Sequence, residues 1–312
     1  MVSDSRNRFR GCLLGLAVGD ALGTTVEFRA PGTFTPLTTI VGGGPFSLDA
    51  GQWTDDTSMA LCLAESLIEK HGFDPVDQLE RYVRWRDEGH MSATGRCVDI
   101  GNTVAAALRQ FDGTREPYPG ATAPMSAGNG SIMRLAPVVH FYAASPRKAI
   151  DYAAASSRTT HRAKEAVDAC RYLASLIVGL LHGQSKEEVL APDYEAVPGL
   201  WDVEPLARKV AKIRRGSFKE RNPPQIRGAG YVIACLEAAL WAFWYSTSFC
   251  EGALRAVNLG DDADTTAAVY GQIAGAAYSM PGIPAEWIAT LAWRDRIQQM
   301  ADDIFRLSGF GS

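Results

Sequence analysis

Two acidic clusters, each at the start of a helical pattern, contain the residues whose types and spacing best suit chemistry. The first cluster is Thr54-Asp55-Asp56-Thr57, and the second is Asp261-Asp262-Ala263-Asp264-Thr265. An isolated pair of carboxylates in a first helical turn is usually structural, because it complements the positive end of the helix dipole. Two such clusters in one chain call for a common explanation.

We expect the two helix starts to converge, which would bring five carboxylates and several hydroxyls together. Like charges at this density repel one another unless cations neutralise them. Hard oxygen ligands without nearby cysteine or histidine favour magnesium, manganese or calcium over zinc. The sequence therefore predicts a metal site formed by both clusters.

A glycine-flanked turn, Gly128-Asn129-Gly130-Ser131, precedes another apolar run. Backbone amides in such a turn can bind an anion, so the segment is a candidate phosphate site. Glycines in loops more often serve turn geometry alone, and the motif by itself also fits that role. His161 follows two hydroxyl residues at a helix start, and we expect its imidazole to face a pocket beside the turn.

The composition indicates a globular protein that acts on a small partner. The 312 residues are 46% hydrophobic, which supplies a sizeable core, and the formal net charge of −4 leaves no basic surface for nucleic acid. The aromatic stripe at 241–245 contains no lysine or arginine, so we interpret it as core or pocket wall. No apolar stretch is long enough to predict a membrane span.

Six cysteines occur, none of them in a CxxC pair, and most lie in apolar stretches. This usage predicts reduced thiols in the core and is typical of a cytoplasmic protein. The apolar run from Cys12 to Val18 leads into motif-like sequence without a cleavage-type segment, so a secretory signal fits poorly. We expect a cytoplasmic monomer.

Helical periodicity dominates the chain and sets the expected architecture. We predict about ten or more helices, and the chain lacks alternating strands, a βαβ rhythm and a fixed repeat. These features indicate one compact all-α domain over residues 1–312. A first helix is predicted over 6–23, where the spacing of Gly15 and Gly19 allows close approach of another helix. A long Gly/Pro-rich loop connects Phe28 to the first acidic cluster. Loops of this length are usually functional or disordered.

Five motifs, taken in order along the chain, resemble the ADP-ribosylglycohydrolase family. They are residues 11–23, 53–57, 128–134, 160–161 and 260–265. The resemblance extends from about Arg8 to Tyr278, and the shared order makes the set specific. It implies an all-α fold with a binuclear magnesium or manganese centre that binds the ribose hydroxyls and positions a water molecule.

By that resemblance, six residues of the two acidic clusters would bind the two metal ions. They are Thr54, Asp55, Asp56, Asp262, Asp264 and Thr265. One position departs from the family pattern, because Asp261 stands where many members have a second glycine. The departure adds a charge and alters backbone freedom, yet we expect metal binding to persist.

The resemblance also implies the residues that would hold ADP-ribose and carry the chemistry. The diphosphate would be held by Gly128, Asn129, Gly130 and Ser131. His161 would contact the ribose side of the ligand. Glu27 matches the glutamate that approaches the metals, so Glu27 or a metal-ligating aspartate would accept the proton of the attacking water.

The stretch from Gly95 to Thr103 is similar to the branch of the family typified by the dinitrogen-reductase-activating glycohydrolase. An aspartate at the position of Asp99 in that branch faces an arginine guanidinium. The resemblance therefore implies hydrolysis of the N-glycosidic bond of ADP-ribosyl-arginine, on a protein or a small substrate, with Asp99 holding the leaving guanidine.

Three alternatives remain at this point. An O-linked substrate such as ADP-ribosyl-serine would use the same metals. A non-catalytic ADP-ribose-binding protein is suggested by crystallin-like relatives, although the intact acidic clusters argue against lost chemistry. A terpene-synthase-like lyase would need a third acid near Met59, where Ser58 and Met59 stand, and has no counterpart of the glycine turn.

Overall fold

A computed structural model describes residues 2–310, and α-helices dominate it. The helices are α1 Val2–Gly23, α2 Asp55–Lys70, α3 Pro75–Glu88, α4 Asn102–Thr114, α5 Ala136–Phe141, α6 Pro146–Arg158, α7 Lys164–Leu181, α8 Lys186–Val189, α9 Leu200–Val203, α10 Arg208–Arg214, α11 Val232–Trp244, α12 Phe249–Val257, α13 Ala263–Tyr278, α14 Ala285–Thr290 and α15 Arg294–Leu307. Within 2–310, extended pairing is limited to three isolated bridges. The all-α prediction is confirmed, and its extension to the whole of 1–312 stays a prediction.

Helices α1 and α13 form an antiparallel pair at unusually close range. A Cβ added at Gly15 would lie 2.3 Å from the carbonyl oxygen of Gly271, and one added at Gly19 would lie 2.2 Å from that of Ala267. Both distances are far below van der Waals contact, so only glycine permits this approach. The close helix approach expected from Gly15 and Gly19 is therefore found.

The same pair brings two distant parts of the chain to one point. Asp20 lies in the last turns of α1, and α13 begins at Ala263. Gly23 packs directly on the first turn of α13, where an added Cβ would lie 2.4 Å from the Cα of Asp264. The glycine contacts thus fix the end of α1 against the second acidic cluster.

One hydrophobic core surrounds the helix pair. Every residue of α7 from Ala166 onward is buried, which suits a helix with few charged residues. Trp241 and Phe243 are buried in this core, as interpreted from the sequence, whereas Tyr245 is exposed. Among the described helices, none combines the length and the apolar composition that crossing a membrane requires.

All six cysteines are free thiols, as the absence of paired motifs predicts. Cys12, Cys62, Cys170 and Cys235 are buried, and the other two are half-buried. Burial raises the pKa of the Cys170 thiol to about 11, because it disfavours the thiolate. These cysteines therefore behave as small core residues.

The loop between Phe28 and α2 is ordered and lies against the start of α13. The Phe28 amide donates to the Asp261 carbonyl at 2.8 Å, and the Asp261 amide donates to the Arg29 carbonyl at 2.8 Å. Further along, the Leu37 amide donates to Asn258 Oδ1 at 2.7 Å. The loop thereby carries Glu27 and its neighbours to the second acidic cluster.

Candidate metal and ligand site

The two helix starts meet, as the sequence predicts. The Thr54 hydroxyl oxygen lies 3.3 Å from Asp56 Oδ2 and 3.3 Å from Asp264 Oδ2, although Asp264 is 210 positions further along the chain. Thr54, Asp56 and Asp264 are all buried. The first turn of α2 and the first turn of α13 therefore share one polar interior.

Asp20 anchors the start of α2, a role that the sequence interpretation missed. Its Oδ1 accepts from the Thr54 amide at 3.0 Å and the Thr54 hydroxyl at 2.9 Å. Its Oδ2 accepts from the Thr57 amide at 2.9 Å and the Thr57 hydroxyl at 2.7 Å. Thr54 occupies the N-cap position, but its side chain makes no capping bond. Asp20, on a separate helix, takes over the capping of α2.

The site carboxylates form two overlapping groups, within each of which oxygen atoms from all three residues lie within 4.8 Å of one another. One group is Asp20, Asp56 and Asp264, and the other is Glu27, Asp99 and Asp264. Asp264 belongs to both. This arrangement offers two adjacent positions at which a cation would meet several carboxylates.

Burial and mutual repulsion strongly favour protonation of these acids when no cation neutralises them. Burial raises the pKa of Asp55, Asp56 and Asp264 well above the usual range, and neighbouring carboxylates raise it further. The same two causes raise the pKa of Asp99 to about 6. Asp99 is the most readily ionised of these four.

The donor set fits a hard divalent cation. Asp56 Oδ1 is buried without a hydrogen-bond partner. The Thr54 hydroxyl has one proton, and its shortest acceptor contact is to Asp20 at 2.9 Å. Its lone pairs then face oxygen atoms of Asp56 and Asp264, and either a cation among them or a proton on one of these carboxyls makes the contact favourable. All the atoms concerned are oxygens, which are the ligands that magnesium, manganese and calcium prefer.

Glu27 lies at the junction of the second carboxylate group and α13. Its Oε2 accepts from the Ala263 amide at 2.8 Å and from the Asp264 amide at 3.3 Å. Burial, followed by the charge of Asp264, raises its pKa, while the Asp264 amide opposes that shift. Glu27 also lines the pocket above the carboxylates, so it faces both the candidate metal positions and the ligand space.

A pocket of about 470 Å³ opens above the carboxylate groups. Predicted site residues that line it are Glu27, Asp55, Asp99, Gly128, Asn129, Gly130, His161, Asp262 and Thr265. Thr54, Asp56 and Asp264 are buried and join this set through the contacts described above. Ser131 is not in the lining, because its hydroxyl accepts from Ser157 Oγ at 3.0 Å in the interior. A direct contact of Ser131 with a ligand stays a prediction.

The glycine turn packs directly against the His161 ring. A Cβ added at Gly128 would lie 3.2 Å from His161 Nε2, and one at Gly130 would lie 3.0 Å from Cε1. These glycines therefore let the imidazole come close to the turn, as its predicted position beside the turn requires. Burial, followed by the charge of Arg134, lowers the His161 pKa to about 3, so the ring is neutral near pH 7.

A chain of hydrogen bonds favours the tautomer of His161 that carries its proton on Nε2. Arg134 Nη2 donates to the Thr160 hydroxyl at 3.0 Å, which leaves the proton of that hydroxyl available to His161 Nδ1 at 2.9 Å. The ring proton then lies on Nε2. Nε2 can therefore donate a hydrogen bond to an oxygen atom of a ligand.

Gly230 also lines the pocket, and the sequence interpretation did not single out its segment, residues 228–231. The Asn129 amide donates to the Gly230 carbonyl at 3.0 Å, and the Asp262 amide donates to the Gly228 carbonyl at 3.2 Å. Asn129 Nδ2 also donates to Asp262 Oδ2 at 2.9 Å. The segment links the glycine turn to the second acidic cluster, and its signal was the Gly-Ala-Gly sequence just before α11.

The extra charge at Asp261 is neutralised away from the other site carboxylates. Its φ of 55° lies in the left-handed region, which explains why a glycine would suit this position. The Asp261 carboxylate pairs with Arg227 Nη2 at 2.7 Å. The Asp261 carboxylate belongs to neither of the two carboxylate groups.

Known proteins resemble this chain over nearly its whole length. The family model described as ADP-ribosylglycohydrolase matches residues 1–310. ADP-ribosylarginine hydrolase Tri1 of Pseudomonas putida (strain GB-1) is 44% identical over 299 residues, covering 96% of this chain and 78% of the relative. ADP-ribosyl-[dinitrogen reductase] glycohydrolase of Rhodospirillum rubrum is 32% identical over 314 residues, covering 97% of each chain. A solved structure, "ADP-ribosylglycohydrolase-related protein complex", superposes with a TM-score of 0.86 and 42% identity, covering 98% of this chain and 99% of that one.

Proposed function

The chain belongs to the ADP-ribosylglycohydrolase family, and on that premise we propose that it hydrolyses the N-glycosidic bond of ADP-ribosyl-arginine. The family resemblance expected from the sequence motifs is thereby confirmed. The arginine linkage rests on one observation above all. Asp99 offers a carboxylate oxygen within 4.8 Å of those of Glu27 and Asp264, so an acceptor for guanidinium lies beside the candidate metal positions.

We assign two magnesium or manganese ions to the polar interior where α2 and α13 begin, beside the overlapping carboxylate groups, with which the ligand set shares Asp56 and Asp264. The ligands would be Thr54, Asp55, Asp56, Asp262, Asp264 and Thr265. When bound, the ions supply Lewis acidity and a template for the ribose hydroxyls and the attacking water. Two positions are favoured over one because Asp264 belongs to two groups of three carboxylates.

Glu27 and Asp99 would handle the proton and the leaving group. Water attacks the anomeric carbon of the ribose, the bond from that carbon to the guanidine nitrogen breaks, and its electron pair leaves with the guanidine. Glu27, which the charge of bound ions would keep ionised, or a metal-ligating aspartate, accepts the proton of the water, and the departing guanidine takes up a proton from solvent to become guanidinium. Asp99, with its pKa near 6, is ionised near pH 7 and holds that cation.

The rest of ADP-ribose would extend from the carboxylates across the glycine turn. The Gly128 and Asn129 amides donate to the carbonyls of Ser126 and Gly230, so the turn offers a phosphate the Gly130 amide, with His161 Nε2 beside it. A second groove of about 590 Å³ shares Thr103, Gly128 and Gly230 with the pocket and is also lined by Tyr231. The two spaces together offer a continuous path for the diphosphate and the adenosine.

The test is release of free ADP-ribose from arginine-linked and serine-linked peptides, with manganese, magnesium or EDTA present. We expect metal-dependent release from the arginine peptide alone. Release from the serine peptide would contradict the role of Asp99 and retain the metal chemistry. Tight ADP-ribose binding with no release from either peptide would indicate a non-catalytic ADP-ribose-binding protein.

A further inference from the structure

Phe28 lines the mouth of the pocket directly after Glu27, and it is 65% exposed. Its φ of 61° lies in a region that bulky side chains rarely adopt. Two hydrogen bonds of 2.8 Å, from the Phe28 amide to the Asp261 carbonyl and from the Asp261 amide to the Arg29 carbonyl, hold the backbone there. The fold therefore maintains a strained backbone that displays an aromatic ring to solvent, and such strain is concentrated at functional sites.

One neighbour supports the ring of Phe28 and leaves most of it open. Phe46 packs against it edge-on, with ring centroids 6.1 Å apart and an interplanar angle of 74°. This contact limits the positions that the exposed ring can take. An aromatic surface is therefore available beside Glu27 for a group that enters or leaves the pocket.

Asp99 lines the same pocket, and its carboxylate supplies a negative charge that complements a cationic group. It also has a positive φ, 56°, and its carboxylate lies in one group with that of Glu27. A guanidinium is planar and cationic, and it combines hydrogen bonds to a carboxylate in its plane with stacking on an aromatic face. Phe28 and Asp99 together present both kinds of partner at one pocket.

We propose that Phe28 is a specificity-determining residue whose ring stacks on the guanidinium of the arginine leaving group. This inference rests on the proposed function and extends it, because it explains how an arginine linkage would be preferred over a neutral one. A serine leaving group has no cation to place over the ring. The contact favours the arginine substrate by a factor on the order of ten.

The experiment compares Phe28→Leu, which keeps apolar bulk without an aromatic face, with Phe28→Tyr, which keeps the face. Phe28→Gly is a second test variant, because glycine accepts the positive φ without strain. Phe46→Leu tests the support that the Phe46 ring gives to Phe28. The readouts are kcat and KM on an ADP-ribosyl-arginine peptide and the Kd for free ADP-ribose, which lacks the guanidinium.

We expect Phe28→Leu and Phe28→Gly to lower kcat/KM for the arginine peptide about tenfold while the Kd for ADP-ribose stays unchanged. Phe28→Tyr should stay near the unmodified protein, and Phe46→Leu should lower kcat/KM less than Phe28→Leu does, because the stacking ring is kept but less firmly positioned. Turnover unaffected in Phe28→Leu and Phe28→Gly would overturn this inference alone. Equal weakening of peptide turnover and ADP-ribose binding would also overturn it, since the ring would then support the site in general. Absence of release by the unmodified protein would overturn the proposed function itself.

Discussion

Asp261 and Asp262 are adjacent in sequence and have opposite surroundings. Asp262 lines the pocket and accepts from Asn129 at 2.9 Å. Asp261 turns toward Arg227 at 2.7 Å. At the residue scale, substituting each of these neighbours in turn distinguishes the loss of a carboxylate at the candidate metal site from the loss of a negative charge alone.

We expect Asp262→Ala to lose bound metal and turnover together, with turnover reduced more than about 100-fold, because a ligand is removed. Asp261→Ala should retain both, because its carboxylate pairs with Arg227. Metal content after dialysis and ADP-ribose release are the measurements. Full turnover by a metal-free Asp262→Ala protein would contradict the metal assignment, and loss of metal in Asp261→Ala would contradict the separation of the two roles.

Residue types and spacing were enough to predict that the two acidic clusters meet and that His161 lies beside the glycine turn, but not every local role. Thr54 has the sequence features of an N-cap, yet its hydroxyl bonds to Asp20, 34 residues earlier. No local pattern records such a contact, because it depends on how α1 packs on α2. Ser131 belongs to the glycine motif in sequence, but its side chain turns toward Ser157 in the interior.

At the scale of elements, the α1–α13 pair controls the geometry of the site. Asp20 and Asp264 lie on the two helices, and both belong to one carboxylate group. The register of the glycines therefore sets how far apart these acids stand. A change in helix spacing should reach the metal positions without touching a site residue.

Gly19→Ala tests this coupling, because its Cβ would lie 2.2 Å from the Ala267 carbonyl. We expect the free energy of unfolding to fall by about 1–3 kcal/mol through overpacking, and metal affinity to fall with it. Gly113→Ala, in α4, is the control, since nothing lies within 4 Å of its added Cβ. Chemical denaturation and metal titration are the measurements. Unchanged metal affinity in a destabilised Gly19→Ala protein would show that the helix pair does not set the site.

Helical periodicity predicted the principal elements because apolar faces recur where helices pack on a core. The helices after both acidic clusters begin where expected, at Asp55 and Ala263, whereas α1 begins at Val2, earlier than predicted. The path of the loop after Phe28 and the docking of residues 228–231 could not be predicted. Both are fixed by individual hydrogen bonds between backbone groups that lie far apart in sequence, such as the bond from the Phe28 amide to the Asp261 carbonyl. Such bonds leave no periodic signal in the sequence.

At the scale of the whole molecule, the buried acids make stability depend on pH and metal. Their raised pKa values mean that the metal-free folded protein retains protons that the unfolded chain releases above about pH 4. The folded state then binds more protons than the unfolded state. Its free energy of unfolding therefore falls as pH rises, by ~1.4 kcal/mol per pH unit for each proton retained.

We expect the Tm of EDTA-treated protein to fall between about pH 7 and about pH 8.5, and saturating manganese to remove most of that fall. The remainder comes from the buried cysteines, whose thiols ionise in the unfolded chain at about pH 8.5 but stay protonated in the folded protein. His140 and His161 do not contribute in this pH range, because burial lowers their pKa values to about 3 in the folded protein. Those rings stay neutral in both states above about pH 6.5, and only below it do they make stability rise with pH. A flat Tm in EDTA would contradict protonated carboxyls, and a fall that is equally large in manganese would contradict metal binding among them.

The glycine contacts between α1 and α13 also bear on how the chain is made. During translation α1 emerges first, but its glycine face meets α13 only after residues 263–278 have been synthesised. At cellular elongation rates that interval is roughly ten to fifty seconds. Throughout it, the nascent chain has neither its central helix pair nor a complete set of site carboxylates. We therefore expect catalytic competence to arise at the end of synthesis, together with the native fold, so that incomplete translation products have no hydrolase activity.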